Sequence, residues 1–151
     1  MAQALSAVYL HLVFSTKKRI AYLNDDQVHA EMCAYLGGVS NKLGVSSLLI
    51  GGTADHVHAL CRFGRSITLA DWVKEMKRAS SIWVKTRAPE LHDFAWQSGY
   101  GVFSVSVSNI ESVKAYISDQ KEHHKKLTFK EEYCMLLQKH GVKWDERYVW
   151  E

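Results

Sequence analysis

The sequence contains little proline and cysteine, and it has no long apolar run. Pro89 is its single proline, and its three cysteines, Cys33, Cys61 and Cys134, form no CxxC pair. We therefore expect no disulfide framework and predict a reducing, cytoplasmic location. No stretch reaches the roughly 18 apolar residues that cross a bilayer. Residues 1–7 lack the basic and apolar regions of a secretory signal, so neither export nor a membrane partner is expected.

Neither the charge nor the composition is extreme. Among 151 residues, the 19 Lys and Arg residues exceed the 16 Asp and Glu residues by three. This small positive charge permits binding to a polyanion without requiring it. Hydrophobic residues make up 47% of the chain and charged residues 23%. These values exclude a disordered, collagen-like or low-complexity chain, and they predict one globular domain over residues 1–151.

Hydrophobic periodicity predicts strands and helices that alternate along the chain. Runs of β-branched and aromatic residues indicate strands at residues 7–15, 45–51, 56–63, 94–97 and 102–108. Helical spacing indicates helices at residues 24–43, 68–87, 109–124 and 128–140. The short link at residues 51–55 favours an antiparallel pair of strands. This order predicts an α+β, ferredoxin-like (RRM-like) fold, in which helices pack on one face of an antiparallel sheet and a C-terminal helix follows.

Two histidines separated by one residue lie on the third strand. Because alternate side chains of a strand share a face, His56 and His58 project together while Val57 points toward the core. Each neutral imidazole can offer a lone pair, so the two histidines supply half of a metal site. The alternative is a pair of partly exposed histidines bonded to their neighbours, because the HxH motif is short.

A second candidate pair lies on the third helix. Tyr116 and Gln120 are four residues apart and share one helix face, which His124 continues. Considered alone, Tyr116 is explained as a packing residue and Gln120 as a solvated side chain. If this helix lies on the sheet, Gln120 can complete a metal site with His56 and His58. A divalent ion there would polarise a phosphodiester, which Tyr116 could attack to form a phosphotyrosine bond.

Basic residues form three clusters along the chain. The candidate DNA-binding residues in them are Lys17, Lys18, Arg19, Lys74, Lys77, Arg78, Lys85, Lys121 and Lys125. Such clusters bind phosphates, and exposed aromatic residues stack on unpaired bases. Lysine-rich helix faces are also common as solvated surfaces, so both interpretations stay open.

Four segments of the sequence, in this order, resemble the small single-tyrosine HUH transposases of minimal bacterial and archaeal insertion sequences. The segments are residues 9–17, 51–58, 96–106 and 116–126, and the family includes relatives associated with REP elements. The resemblance implies His56, His58 and Gln120 as metal ligands and Tyr116 as the nucleophile. It also implies Mg²⁺ or Mn²⁺ as the cofactor, a homodimer, and single-stranded DNA with hairpins as the partner. The implied activity is DNA transposition through a covalent 5′-phosphotyrosine intermediate.

Four alternative functions can be compared with the sequence. A domesticated REP-associated relative would cut repeated palindromes by the same chemistry. A replication initiator or relaxase is disfavoured by the short chain. A non-catalytic module for single-stranded nucleic acid would not need the pair of histidines, and a hydrolytic metalloenzyme acting on a small molecule would show no salt-sensitive affinity for DNA.

Overall fold

The computed structural model describes residues 2–151 and centres on a four-stranded antiparallel sheet. The strands are β1 (Tyr9–Ser15), β2 (Ser46–Thr53), β3 (His56–Arg62) and β4 (Gly101–Val105). Their order in the sheet is β2-β3-β1-β4, and every neighbouring pair is antiparallel. The predicted α+β fold class is confirmed.

Residues 2–151 include five α-helices. These are α1 (Asp26–Lys42), α2 (Leu69–Arg87), α3 (Ile110–Ser118), α4 (Gln120–His123) and α5 (Phe129–Lys139). The carboxylate of Asp25 accepts two backbone hydrogen bonds at the start of α1, and Thr128 forms a capping box with Glu131 at the start of α5. Within the described part of the chain, no helix has the length and apolar character needed to cross a membrane.

Helices cover both faces of the sheet. On one face, Leu12 and Phe14 of β1 pack with α1 and α2 in the main core, which is the helix layer that the sequence predicts. On the other face, Val13 of β1 and Phe103 of β4 pack with α5. Because successive side chains of a strand point to opposite faces, a strand buried on both sides is mostly apolar, and β1 follows this pattern except at His11 and Ser15. The site residues lie on the second of these faces.

One predicted strand is absent. Residues 94–97 make only an isolated bridge, between Trp96 and Thr16. Phe94 and Trp96 alternate as in a strand, but both side chains are buried in the main core from a connecting segment. The carbonyl oxygen of Gln97 accepts a hydrogen bond from the ammonium group of Lys77 (2.8 Å). The main chain of this segment also bonds to that of residues 15 and 17, at 3.0 and 2.8 Å, but the pairing is confined to one bridge, so the prediction of a strand over residues 94–97 was wrong.

The helix predicted at residues 109–124 is divided into α3 and α4 at Asp119. The amide of Asp119 bonds to the carbonyl oxygens of both Ala115 (3.1 Å) and Tyr116 (3.3 Å). Such shared bonds mark a helix end whose last turn has tightened toward 3₁₀ geometry. Gln120 begins the next helix with its side chain buried against the sheet.

Candidate active site

The two histidines of β3 form the base of the site. His56 and His58 are fully buried, and in the β1–β3 register they lie opposite Ser15 and Val13. Their ring centroids are 5.1 Å apart, and Val57 between them packs in the main core as predicted. The alternation of the strand thus places both imidazoles on the face that α3, α4 and α5 cover.

The first residue of α4 brings an amide to this pair. Oε1 of Gln120 lies 2.8 Å from Nε2 of His56. Nε2 of Gln120 donates a hydrogen bond to Oε2 of Glu132 (2.8 Å). The structure therefore places Gln120 beside the histidines, the position expected if this part of the chain lies on the sheet.

α3 brings Tyr116 to the same place because β2 has a glycine under the helix. A Cβ atom on Gly51 would lie 2.9 Å from Cγ2 of Ile117, so only glycine leaves room for this approach. The rings of Tyr116 and His58 have centroids 5.8 Å apart. The hydroxyl of Tyr116 donates a hydrogen bond to Oε2 of Glu132. A tyrosine and two histidines of one chain thus meet in a single cluster.

Glu132 of α5 lies at the centre of the cluster, although it is not among the site residues predicted from the sequence. Its side chain is 2% exposed, and Oε1 lies 3.0 Å from Nε2 of His58 and 3.5 Å from Nε2 of His56. A signal was available, because Glu132 falls on the same helical stripe as Phe129, Tyr133 and Leu137. All four are buried, and a carboxylate on an apolar helix face is rarely buried without a partner.

Three further polar side chains surround this cluster. Nε2 of His124 lies 3.1 Å from Oε1 of Glu132 and 3.1 Å from Oε1 of Gln120. Nδ1 of His56 donates to Oδ1 of Asp55 (2.7 Å), and Nε2 of His11 lies 2.7 Å from Nδ1 of His58. Each of the two strand histidines therefore has a polar partner at Nδ1, the ring nitrogen that faces away from Gln120 and Glu132.

Burial and hydrogen bonding shift the ionisation of the cluster. Burial by itself raises the pKa of Glu132, but hydrogen bonds from two histidines and Tyr116 hold that pKa well below its ordinary value. Burial and the hydrogen bond to Glu132 raise the pKa of Tyr116. Burial lowers the pKa of His11 to about 3. At neutral pH the site therefore combines an ionised carboxylate with a neutral phenol and a neutral His11.

The donor atoms of the cluster fit a divalent cation. One atom each from His56, His58 and Glu132 lies within 4.8 Å of the other two. Adjacent ligands of an octahedral ion with bonds of about 2.1 Å are about 3 Å apart, close to the 3.0 and 3.5 Å found between the Glu132 oxygen and the two nitrogens. Nδ1–H of His56 donates to Asp55, so in the neutral ring Nε2 carries a lone pair. This lone pair faces a lone pair on Oε1 of Gln120, and such a contact needs a proton or a cation between the two atoms.

The third basic cluster lies beside the site. Lys121 and Lys125 line a cleft of about 650 Å³ together with Asp55, His124 and Thr128. Both lysines are exposed and form surface ion pairs, Lys121 with Asp26 and Lys125 with Glu122. Exposed ion pairs of this kind contribute little to stability, so the two ammonium groups can bind phosphates instead.

The other two basic clusters differ in position. Lys17, Lys18 and Arg19 follow β1 at the end of the sheet that carries His56, where the amide of Thr16 bonds to the carbonyl oxygen of Asp55 (2.8 Å). Lys74, Lys77, Arg78 and Lys85 belong to α2, which covers the opposite face of the sheet. The ammonium group of Lys77 is turned inward, because it donates to the carbonyl oxygens of residues 97, 98 and 99.

A comparison with family profiles identifies the family. The profile described as "Transposase IS200 like" matches residues 4–120. The chain belongs to the IS200-like transposase family. In this transposase the matched segment includes His56, His58, Tyr116 and Gln120, whereas Glu132 lies beyond its end.

Solved structures share the fold of this IS200-like transposase. A protein from Deinococcus radiodurans R1, assigned as a transposase, is 23% identical over 80% of this chain and 95% of its own, with a TM-score of 0.64. A REP-associated tyrosine transposase bound to a REP hairpin is 13% identical over 84% of this chain and 76% of its own, with a TM-score of 0.59. No functionally curated protein matches the chain.

Proposed function

We propose that this transposase cleaves and rejoins single-stranded DNA at hairpin-bearing element ends through a 5′-phosphotyrosine on Tyr116. The observation that carries the proposal is the convergence of Tyr116, His56, His58 and Gln120 on one buried carboxylate. Membership of the IS200-like family supports DNA as the substrate. The solved relative bound to a REP hairpin supports hairpins as the structures recognised.

Cleavage proceeds by attack of the Tyr116 hydroxyl oxygen on the scissile phosphorus. The phenol loses its proton, the bond from phosphorus to the 3′ oxygen breaks, and that oxygen leaves as a 3′ hydroxyl. The 5′ phosphate stays on Tyr116. A second 3′ hydroxyl then attacks the phosphotyrosine, which restores Tyr116 and joins the strands without ATP. Before attack, the hydrogen bond to Glu132 holds the nucleophile beside the histidines.

The proposed cofactor is Mg²⁺ or Mn²⁺. His56, His58 and Gln120 would hold the ion, with the carboxylate of Glu132 as a further ligand in the same donor set. The bound ion would polarise a phosphate oxygen and offset the negative charge that develops there. Because imidazole and amide donors suit hard cations only moderately, Glu132 supplies the strongest oxygen donor of the set.

The DNA backbone is proposed to follow the cleft that contains Lys121 and Lys125. Lys17, Lys18 and Arg19 lie at the same end of the sheet and would extend this path. The basic residues of α2 lie on the far face, so they are assigned to outer segments of a longer substrate or to solvent.

We also propose that the protein is a homodimer, which light scattering of the purified protein would test.

A domesticated role, in which the protein acts on repeated palindromes, would use the same chemistry. The genomic DNA that flanks the coding sequence separates a mobile element, which has hairpin-bearing ends, from a domesticated enzyme, which has none.

The experiment that tests the function is covalent capture on DNA. The protein is incubated with Mn²⁺ and a fluorescent single-stranded oligonucleotide copied from its flanking hairpin sequences. We expect an adduct that survives a denaturing gel, maps to Tyr116 by mass spectrometry, and is absent with duplex DNA or with EDTA. If the DNA is bound but no adduct forms under any of these conditions, the protein is a binding module and the proposed activity is wrong.

A further inference from the structure

His11, a buried histidine of β1, has no role in the proposed cleavage. Its side chain is 4% exposed, and its Nε2 lies 2.7 Å from Nδ1 of His58, whose Nε2 faces Glu132. The rings of Phe103 and Tyr116 meet the His11 ring edge-on, with centroids 6.4 and 6.2 Å away. Packing therefore fixes the orientation of His11 toward His58.

The His11–His58 contact determines in which tautomers of His58 the ring N–H has a hydrogen-bond partner. A hydrogen bond between two imidazole nitrogens needs a hydrogen on one and a lone pair on the other. If the ring hydrogen of His58 is on Nε2, that N–H donates to Glu132 (3.0 Å) and no lone pair faces the site. If the hydrogen is on Nδ1, it donates to His11 (2.7 Å) and the Nε2 lone pair faces the site. Only the second tautomer can bind a cation.

We propose that His11 is a positioning residue that makes the cation-binding tautomer of His58 available. Without an acceptor at residue 11, the Nδ1–H tautomer would leave a fully buried N–H group without a partner. His58 would then be restricted to the tautomer that donates to Glu132. The inference rests on the proposed function, because it assumes that His58 binds a cation.

Asp55 provides the same support to the other histidine. Its carboxylate can only accept, so Nδ1–H of His56 donates to it (2.7 Å) and Nε2 is left facing the site. A hydrogen-bond acceptor behind each metal-binding imidazole is a common way to fix the tautomer of the ring. His11 thus completes for His58 the arrangement that Asp55 makes for His56.

The test measures binding of Mn²⁺ to the full-length protein without DNA, by isothermal titration calorimetry. His11→Leu removes the acceptor, and His11→Gln keeps one at a similar distance along the side chain. We expect His11→Leu to weaken Mn²⁺ binding roughly tenfold or more, and His11→Gln to restore most of the affinity. Leu10→Ala is the matched control, because the neighbouring side chain packs in the main core on the other face. It should lower the unfolding temperature and leave Mn²⁺ binding unchanged.

A second measurement applies to the unsubstituted protein and does not depend on the folding of any variant. In the ¹⁵N NMR spectrum of the Mg²⁺-saturated protein, the ring hydrogen of His58 should be on Nδ1. Wild-type affinity in a folded His11→Leu variant, or a ring hydrogen on Nε2 with Mg²⁺ bound, would overturn the role of His11 and leave the cation site in place. If the wild-type protein binds neither ion, the cation site and the role of His11 are both wrong.

Discussion

The hydroxyl of Tyr116 donates a hydrogen bond to one oxygen of Glu132, and the other oxygen of that carboxylate lies 3.0 Å from His58. One side chain therefore connects the proposed nucleophile to the proposed cation site. Glu132 comes from α5, whereas the tyrosine and the histidine come from α3 and β3. The position of the nucleophile thus depends on how a third segment packs over the sheet.

Replacing Glu132 by Gln should impair the reaction although it preserves the shape of the side chain. The substitution removes the negative charge that faces three histidines, His56, His58 and His124, and it removes the strongest oxygen donor. We expect the initial rate of covalent adduct formation to fall roughly tenfold to a hundredfold. Glu111→Gln is the control, because Glu111 is exposed and lies 3.6 Å from Lys114 in a surface ion pair. Equal rates for the two variants would show that Glu132 has no part in the reaction.

Replacing Tyr116 by Phe should abolish the covalent adduct while DNA binding is retained. The substitution removes only the hydroxyl, and the ring can keep its packing against His58 and His123. The adduct is measured on a denaturing gel and hairpin binding by gel shift. Tyr148→Phe serves as the control because that tyrosine is exposed, and it should form the adduct at the wild-type rate. An adduct formed by Tyr116→Phe would assign the nucleophile to another residue.

The basic clusters should differ in their effect on DNA affinity. Replacing Lys121 and Lys125 by Gln removes two ammonium groups from the cleft beside His124. We expect weaker binding and a salt dependence whose slope falls by roughly 0.7 for each lost phosphate contact on single-stranded DNA. The matched pair, Lys74→Gln with Lys85→Gln, lies on α2 across the sheet and should change the slope less. Fluorescence anisotropy at several salt concentrations measures both, and the reverse order would move the proposed DNA path to α2.

Replacing Gly51 by Ala should destabilise the fold at the contact between β2 and α3. The new methyl group would lie 2.9 Å from Cγ2 and 3.2 Å from the carbonyl oxygen of Ile117, so α3 must shift. We expect the free energy of unfolding to fall by about 1–3 kcal/mol, as overpacked cores show. Gly38→Ala is the control, because an added Cβ meets nothing within 4 Å there. It should stabilise α1 by about 0.5–1 kcal/mol, and chemical denaturation measures both changes.

The sequence predicted the parts of this protein that depend on local geometry. A strand has a period of two, so His56 and His58 had to share a face once the strand was identified. The helical period placed Tyr116 and Gln120 on one face in the same way, although the helix divides at Asp119 between them. Alternation was misleading at Phe94 and Trp96, because a connecting segment buries the same residue types as a strand.

Only the tertiary structure decided which distant residues complete the site. His11 and Glu132 are separated from His58 by 47 and 74 positions in the sequence, yet each contacts one of its ring nitrogens. No periodicity within one element specifies such a contact, because it depends on which strands pair and on which face of the sheet each helix covers. Local spacing therefore determined the histidine pair and the tyrosine helix, and packing over the second face of the sheet determined the partners that orient them.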